Sequence, residues 1–162
     1  MITSDRRGVR FDVYAKDDRS VIYDIDMQNA MMENLPKRTR YIQSLIDLDQ
    51  MERGAHFSEL TKSYVIFICN FNLKPAEGRH KYTFCNLCKE DSKISLEDGT
   101  EKVFLCTKGN LDDISPELKQ LLAYVSGEAP DGDFSKRLDI AAKSVDESAM
   151  EKGIYGSSEL CR

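Results

Sequence analysis

The sequence predicts an α/β fold built on a mixed β-sheet, and three observations lead to that class. Segments 8–15 and 20–28 alternate apolar and polar residues around a turn-like run, which predicts an antiparallel hairpin. A stretch with helical periodicity follows at 36–53, and then a continuous apolar run at 64–69, typical of a strand buried on both faces. Because a strand, a helix and a buried strand in this order form a right-handed crossover, we expect parallel and antiparallel pairing in one sheet.

Composition limits the class of protein. The chain has 162 residues, of which 41% are apolar and 31% charged, which suits one globular domain. No stretch approaches the ~18 apolar residues of a membrane span, and the N-terminal residues show no signal peptide. We therefore expect a cytoplasmic protein without a membrane partner. The net charge of −5 argues mildly against a dedicated nucleic-acid binder, although phosphate binding depends on local basic patches more than on overall charge.

Acidic residues on the two hairpin strands are the most informative feature. Asp12 lies in the first strand and Asp26 in the second, and strand alternation places Asp24, Asp26 and Gln28 on one face. Oxygen donors that converge in this way suit a hard divalent cation. Carboxylates exposed on a hairpin face are the alternative. The opposite face carries apolar residues and is expected to be the packed one (Val21, Tyr23, Ile25, Met27).

The predicted helix has a basic start. Pro36 suits the first helical position, and Gly54 is expected to end the helix after Arg53. Arg38 and Tyr41 are three residues apart and are therefore neighbours on the helix surface. The basic cluster is either a phosphate contact or a solvated helix start. The expected core-facing stripe is Tyr41, Ile42, Leu45, Ile46 and Leu48.

The later segments complete the sheet and add a second helix. Residues 81–87 and 102–106 read as strands. Ser115 is a good N-cap, with Pro116 at the first helical position and an expected end near Gly127. A linker follows, and then a weakly amphipathic helical segment at 134–152.

The five cysteines do not form a recognisable framework. Their odd number and irregular spacing argue against disulfides. Cys85 and Cys88 form one CxxC, but a structural zinc site needs four ligands, and His56 and His80 stand alone in the sequence. We therefore expect buried structural thiols.

Taken together, these segments resemble the Rpn family of recombination-promoting nucleases, which are transposases of the PD-(D/E)XK nuclease type. The resemblance is specific as a series of motifs over about residues 8–140. The segments that carry it are Arg10–Asp17, Tyr23–Gln28, Leu35–Tyr41, Tyr64–Cys69, Tyr82–Phe84, Val103–Gly109 and Ser115–Lys119.

The resemblance implies a restriction-endonuclease-like fold and a set of site residues. The first acidic residue of the family corresponds to Asp12, and the (D/E)-x-K element corresponds to Asp26, Met27 and Gln28, with Gln in the lysine position, as is usual for this family. Family members usually carry Glu where this chain has Asp26. Asp12, Asp26 and the main-chain carbonyl of Met27 would bind Mg²⁺, or alternatively Mn²⁺. Arg38 would bind a DNA phosphate, with Tyr41 packed beside it.

The resemblance also implies an organisation and a function. Residues 1–128 would form a partial nuclease-like domain that lacks the first core helix and strand, and 129–162 a helical extension with a frayed tail. An unpaired sheet edge predicts self-association, hence a homo-oligomer. We expect a magnesium-dependent DNA endonuclease of a bacterial mobile element. The alternative is a non-catalytic remnant of the fold that acts as a DNA- or protein-interaction module.

Overall fold

A computed structural model describes residues 13–51, 53–74, 78–129, 132–134 and 136–137. The chain divides into two compact units, Met1–Asp113 and Ile114–Arg162. The predicted domain division after residue 128 stays a prediction.

The first unit contains a five-stranded mixed sheet in the order β1-β2-β3-β5-β4. This confirms the predicted α/β class. The elements of this unit are β1 (Val13–Lys16), β2 (Ile22–Gln28), α1 (Leu35–Gln50), a 3-10 turn (Phe57–Glu59), β3 (Ser63–Cys69), β4 (Lys81–Phe84) and β5 (Thr100–Cys106).

The predicted hairpin is confirmed in the residues that the structure describes. β1 and β2 pair antiparallel, from Val13 opposite Ile25 to Lys16 opposite Ile22. The Asp17 side chain holds the turn by accepting hydrogen bonds from the main-chain N–H groups of Arg19 and Val21, at 3.0 and 2.8 Å. Residues 8–12, which were predicted to begin the first strand, lie outside the described residues.

The predicted crossover is confirmed as well. β2 and β3 pair in parallel with α1 between them in the chain, and β3 pairs in parallel with β5. β4 then pairs antiparallel with the outer side of β5. The core lies between α1 and one face of this sheet, and it contains Ile22, Leu35, Ile42, Ile46, Val65, Phe67, Cys69, Phe104 and Cys106.

The hairpin buries the opposite face from the one that we predicted. Ile22, Asp24, Asp26 and Gln28 are all buried, whereas Met27 on the other face is 42% exposed. The physical reason is the docking of α1, which covers the carboxylate-bearing face of β2 and the matching face of β3. The acidic side chains therefore sit beneath a helix instead of facing solvent.

Helix α1 ends earlier than its predicted limit at Arg53, with extended backbone at Met51. The Gln50 side chain accepts hydrogen bonds from the main-chain N–H and the hydroxyl of Thr61, at 2.9 and 2.7 Å, which ties the helix end to the approach to β3. The predicted apolar stripe is correct for Ile42 and Ile46. It is wrong for Leu48, which is 53% exposed because that side of the last turn faces away from the sheet.

The remaining elements differ from the predictions mainly in length. β4 ends at Phe84, and beyond it only an isolated bridge pairs Leu87 with Ser95 in the described part of the hairpin. In the second unit, helix α2 spans Pro116–Val125, and the Ser115 hydroxyl accepts the N–H of Leu118 at 3.3 Å, as its predicted N-cap role requires. The predicted helix 134–152 lies almost wholly outside the described residues.

The two edge strands of the sheet are β1 and β4, each paired on one side within the described chain. Among the described helices, none is long and apolar enough to cross a membrane.

Candidate functional site

The carboxyl ends of the three parallel strands meet at one edge of the sheet. Gln28 and Cys69 are partners across β2 and β3, and Asn70 donates its main-chain N–H to the carbonyl of Gln28 at 2.9 Å. Directly after β5, the Thr107 hydroxyl donates to the side-chain oxygen of Asn70 at 2.9 Å. Crevices at the carboxyl ends of parallel strands are the usual ligand sites of open α/β sheets.

Asp26 forms an ion pair with Arg38 near this edge. The guanidinium Nη2 of Arg38, in the first turn of α1, donates to the Oδ2 carboxylate oxygen of Asp26. The Asp26 side chain is 5% exposed and the Arg38 side chain 28% exposed. A carboxylate this deeply buried needs a charged or strongly hydrogen-bonding partner, and Arg38 supplies one.

Phe67 supports this ion pair from the neighbouring strand. It is fully buried and is the Cα partner of Asp26. The Arg38 guanidinium carbon lies 5.7 Å from the centroid of its ring, a cation–π distance. Phe67 also stacks on Phe104 of β5 with centroids 5.7 Å apart, so the platform beneath the ion pair belongs to the rigid core.

Asp24 and Gln28 flank Asp26 on the same face, as the sequence predicted. Asp24 is 0% exposed and Gln28 is 6% exposed. Burial and the nearby negative charges of Asp49 and Asp24 raise the pKa of Tyr14, whose hydroxyl donates to Asp49 at 3.3 Å. Two carboxyl groups, those of Asp24 and Asp26, therefore lie buried on this face beneath α1, and Arg38 is a cation that contacts Asp26.

The residues at the end of β2 carry oxygen atoms of the kind that a hard cation binds. The Asp26 carboxylate, the Met27 main-chain carbonyl and the Gln28 side-chain amide all offer oxygen, which Mg²⁺ prefers. Among the described residues, no group of three or more His, Cys, Asp or Glu side chains stands together as a metal site. Asp12 lies outside the described residues, and the observed hairpin register stops at Val13 opposite Ile25.

The ion pair between Arg38 and Asp26 and its Phe67 platform were not foreseen in the sequence. The order of elements contained a usable signal, because a crossover helix begins beside the carboxyl end of the strand before it. A basic residue in the first turn of that helix therefore comes close to an acidic residue near the end of the strand. Tyr41, the other predicted binding residue, is half-buried on α1.

His80 has a partner that the sequence concealed. Its ring Nδ1 lies 3.1 Å from the Oδ1 of Asp113, and its main-chain N–H donates to the same oxygen at 3.2 Å. Its main-chain carbonyl accepts the N–H of Cys106 at 2.7 Å. Gly109 packs so closely that a Cβ there would lie 2.6 Å from the His80 ring. This buried pair fixes the segment that follows β5.

The cysteines follow the predicted burial only in part. Cys69 and Cys106 are buried on neighbouring strands, and burial raises the pKa of the Cys69 thiol to about 12, with a smaller contribution from Cys106. The prediction is wrong for Cys85, which is exposed, and for Cys88, which is partly exposed and donates to the Glu90 carboxylate at 3.2 Å. The CxxC lies beyond the end of β4, and among the described residues of the first unit no helix or strand covers it.

Comparison with known proteins identifies a family. The family of PD-(D/E)XK nuclease family transposases matches residues 2–111 of the chain. This range includes all five strands, α1 and the ion pair between Asp26 and Arg38. No curated protein and no solved structure matches the chain.

Proposed function

Since the chain belongs to the PD-(D/E)XK nuclease family transposases, we propose that it hydrolyses DNA phosphodiester bonds with a divalent cation, as an endonuclease of a mobile element. The observation that carries the proposal is the pair of buried polar residues, Asp26 and Gln28, at the carboxyl end of β2, with Arg38 paired to Asp26. A carboxylate this deeply buried needs a charged or strongly hydrogen-bonding partner, and a divalent cation would supply such a charge. We further propose the bacterial cytoplasm as the compartment.

Three residues would hold the cation. Asp12 and Asp26 would supply carboxylates and Met27 its main-chain carbonyl, and Mg²⁺ or Mn²⁺ suits these oxygen donors. Such an ion, when bound, lowers the pKa of a coordinated water and stabilises charge on the scissile phosphate. Asp12 directly precedes Val13, which is the first described residue of β1 and pairs with Ile25. This position in the sequence supports the assignment of Asp12 as a metal ligand.

Gln28 would orient a reactant without exchanging protons. Its amide offers one oxygen acceptor and two N–H donors, and it neither titrates nor carries charge. The buried position of Gln28 restricts the amide to few orientations. It would therefore hold either the attacking water or a phosphate oxygen by hydrogen bonds.

Arg38 would bind a phosphate beside the reacting one. Its planar guanidinium can donate two parallel hydrogen bonds to a phosphate, and its partial exposure gives DNA access to it. Tyr41, one helical turn further along α1, would pack beside the bound backbone.

The exposed edge strand β1 supports a proposal about self-association. β1 is exposed along its length and pairs only with β2 among the described strands. Exposed edge strands pair readily with other chains. We therefore infer that the protein self-associates, which light scattering over a range of concentrations would test.

A plasmid-nicking assay tests the proposed activity. The wild-type chain should relax supercoiled plasmid in Mg²⁺ or Mn²⁺ and stop when EDTA is added. A variant with Asp12→Ala and Asp26→Ala should be inactive under the same conditions. Nicking that continues in EDTA, or an equally active double variant, would refute the proposal.

One observation favours a second candidate function. Arg38 already neutralises the Asp26 carboxylate in this structure. A non-catalytic relative that binds DNA or protein would keep such an ion pair as a structural contact. Folded wild-type protein that stays inactive with Mg²⁺, Mn²⁺ and other divalent ions would favour this second function.

A further inference from the structure

We propose that Arg38 is a positioning residue with two alternative partners, Asp26 in the absence of DNA and a backbone phosphate in its presence. This inference rests on the proposed function and adds a coupling between DNA binding and the cation site. Arg38 would neutralise Asp26 until DNA arrives, and its transfer to a phosphate would leave the carboxylate available to the cation.

Asp26 and Arg38 differ in their exposure to solvent. The Asp26 side chain is 5% exposed and cannot turn to solvent, whereas the Arg38 side chain is 28% exposed at the start of α1. Removing a charged partner from a buried charge is costly. A second positive charge at Asp26 would offset that cost and so favour the release of Arg38.

Phe67 gives Arg38 a surface on which to move. The guanidinium lies 5.7 Å from the centre of the Phe67 ring, and cation–π attraction depends weakly on the exact direction of the N–H groups. The guanidinium can therefore redirect its donors from carboxylate to phosphate while it stays over the ring. A phosphate oxygen pair offers it the same bidentate geometry as a carboxylate.

Arg38 and a divalent ion compete for the same carboxylate. Both are positive, so both cannot contact Asp26 closely without mutual repulsion. A DNA phosphate that binds Arg38 away from Asp26 therefore strengthens cation binding at Asp26. By thermodynamic linkage, a bound cation strengthens phosphate binding by the same factor.

The first experiment measures Mn²⁺ affinity in the full chain without DNA. We expect Arg38→Gln to bind Mn²⁺ about tenfold more tightly than wild type, because the competing charge is gone. Arg40→Gln is the matched control, since Arg40 is an exposed arginine on the same helix, and its affinity should equal that of wild type. Equal affinity in wild type and Arg38→Gln would overturn the inference, whereas absence of Mn²⁺ binding in every variant would instead refute the proposed function.

The second experiment measures duplex DNA binding in EDTA, where no cleavage occurs. Asp26→Asn should free Arg38 for phosphate, so it should tighten DNA binding several-fold and steepen the salt dependence by about one counterion. In the Asp26→Asn/Arg38→Gln variant this gain should vanish. That double variant removes both members of the ion pair together, so it remains informative if Arg38→Gln alone does not fold. An equal gain from Asp26→Asn with and without Arg38 would mean that Arg38 is not released, and the inference would fail.

Discussion

Substituting Phe67 with leucine tests whether the platform beneath the site belongs to the core. The Phe67 side chain is fully buried, stacks on Phe104 with centroids 5.7 Å apart, and lies 5.7 Å from the guanidinium of Arg38. An aromatic pair contributes about 0.5–1.5 kcal/mol beyond area burial. A partly exposed cation–π contact contributes about 0.5–1 kcal/mol, and a change of shape at similar volume costs less than about 1.5 kcal/mol. We expect Phe67→Leu to lower the free energy of unfolding by about 2 kcal/mol.

Urea denaturation followed by circular dichroism measures this loss as a lower midpoint at unchanged slope. A chain of this size should also lose roughly 4–8 °C in Tm. Phe57→Leu is the matched control, because Phe57 is 79% exposed and its substitution should cost almost nothing. Equal urea midpoints for the two variants would show that Phe67 does not stabilise the core.

Two further predictions concern other buried groups. At pH 8, a maleimide should modify Cys85 within minutes and leave Cys69 and Cys106 unmodified in the folded protein. The reason is that burial raises the pKa of both internal thiols. Mass spectrometry of peptides would measure the labelling, and modification of Cys69 at the rate of Cys85 would contradict the prediction. Burial acts to raise the pKa of Asp113, but hydrogen bonds from the main chain and ring of His80 outweigh it and hold that pKa below its usual value. Ionised Asp113 therefore stabilises the fold above its unfolded pKa near 4, and this contribution is lost as the pH falls through the lower folded pKa. Asp113→Asn should be less stable than wild type at pH 7, with a difference that shrinks below about pH 4; a difference that stays constant down to pH 2 in acid-titrated melts would refute this.

Local sequence patterns predicted the strands and their pairing well. The alternation in 20–28, the helical period after Pro36 and the apolar run at 64–69 each report a periodicity that the backbone imposes within one element. For that reason the antiparallel hairpin and the parallel crossover were both correct.

The same patterns could not determine which face of the hairpin is buried. Both faces of β2 carry large side chains, and the choice depends on where α1 docks, which is a tertiary event. Apolar Val21, Tyr23 and Ile25 suggested a core face, yet the helix covers Asp24 and Asp26. A functional site is where such a conflict between local preference and global packing is expected.

Long-range partners were also beyond sequence reasoning. His80 and Asp113 are 33 residues apart, and neither belongs to a spaced motif. Arg38 and Asp26 are 12 residues apart, and their contact follows only from the crossover geometry. The shared face of Asp24, Asp26 and Gln28 was therefore predictable from strand alternation, whereas the contact between Arg38 and Asp26 required the fold.

The central claim is that Asp26 takes part directly in metal-dependent DNA cleavage, and one measurement tests it. Single-turnover cleavage of plasmid in Mg²⁺ is compared between Asp26→Asn and Asp18→Asn, since Asp18 is an exposed aspartate in the β1–β2 turn. We predict that Asp18→Asn cleaves at the wild-type rate. We predict that Asp26→Asn, which removes the proposed metal-binding charge, loses cleavage at least about a hundredfold while it still binds DNA. Full metal-dependent cleavage by Asp26→Asn would contradict the assignment of this site.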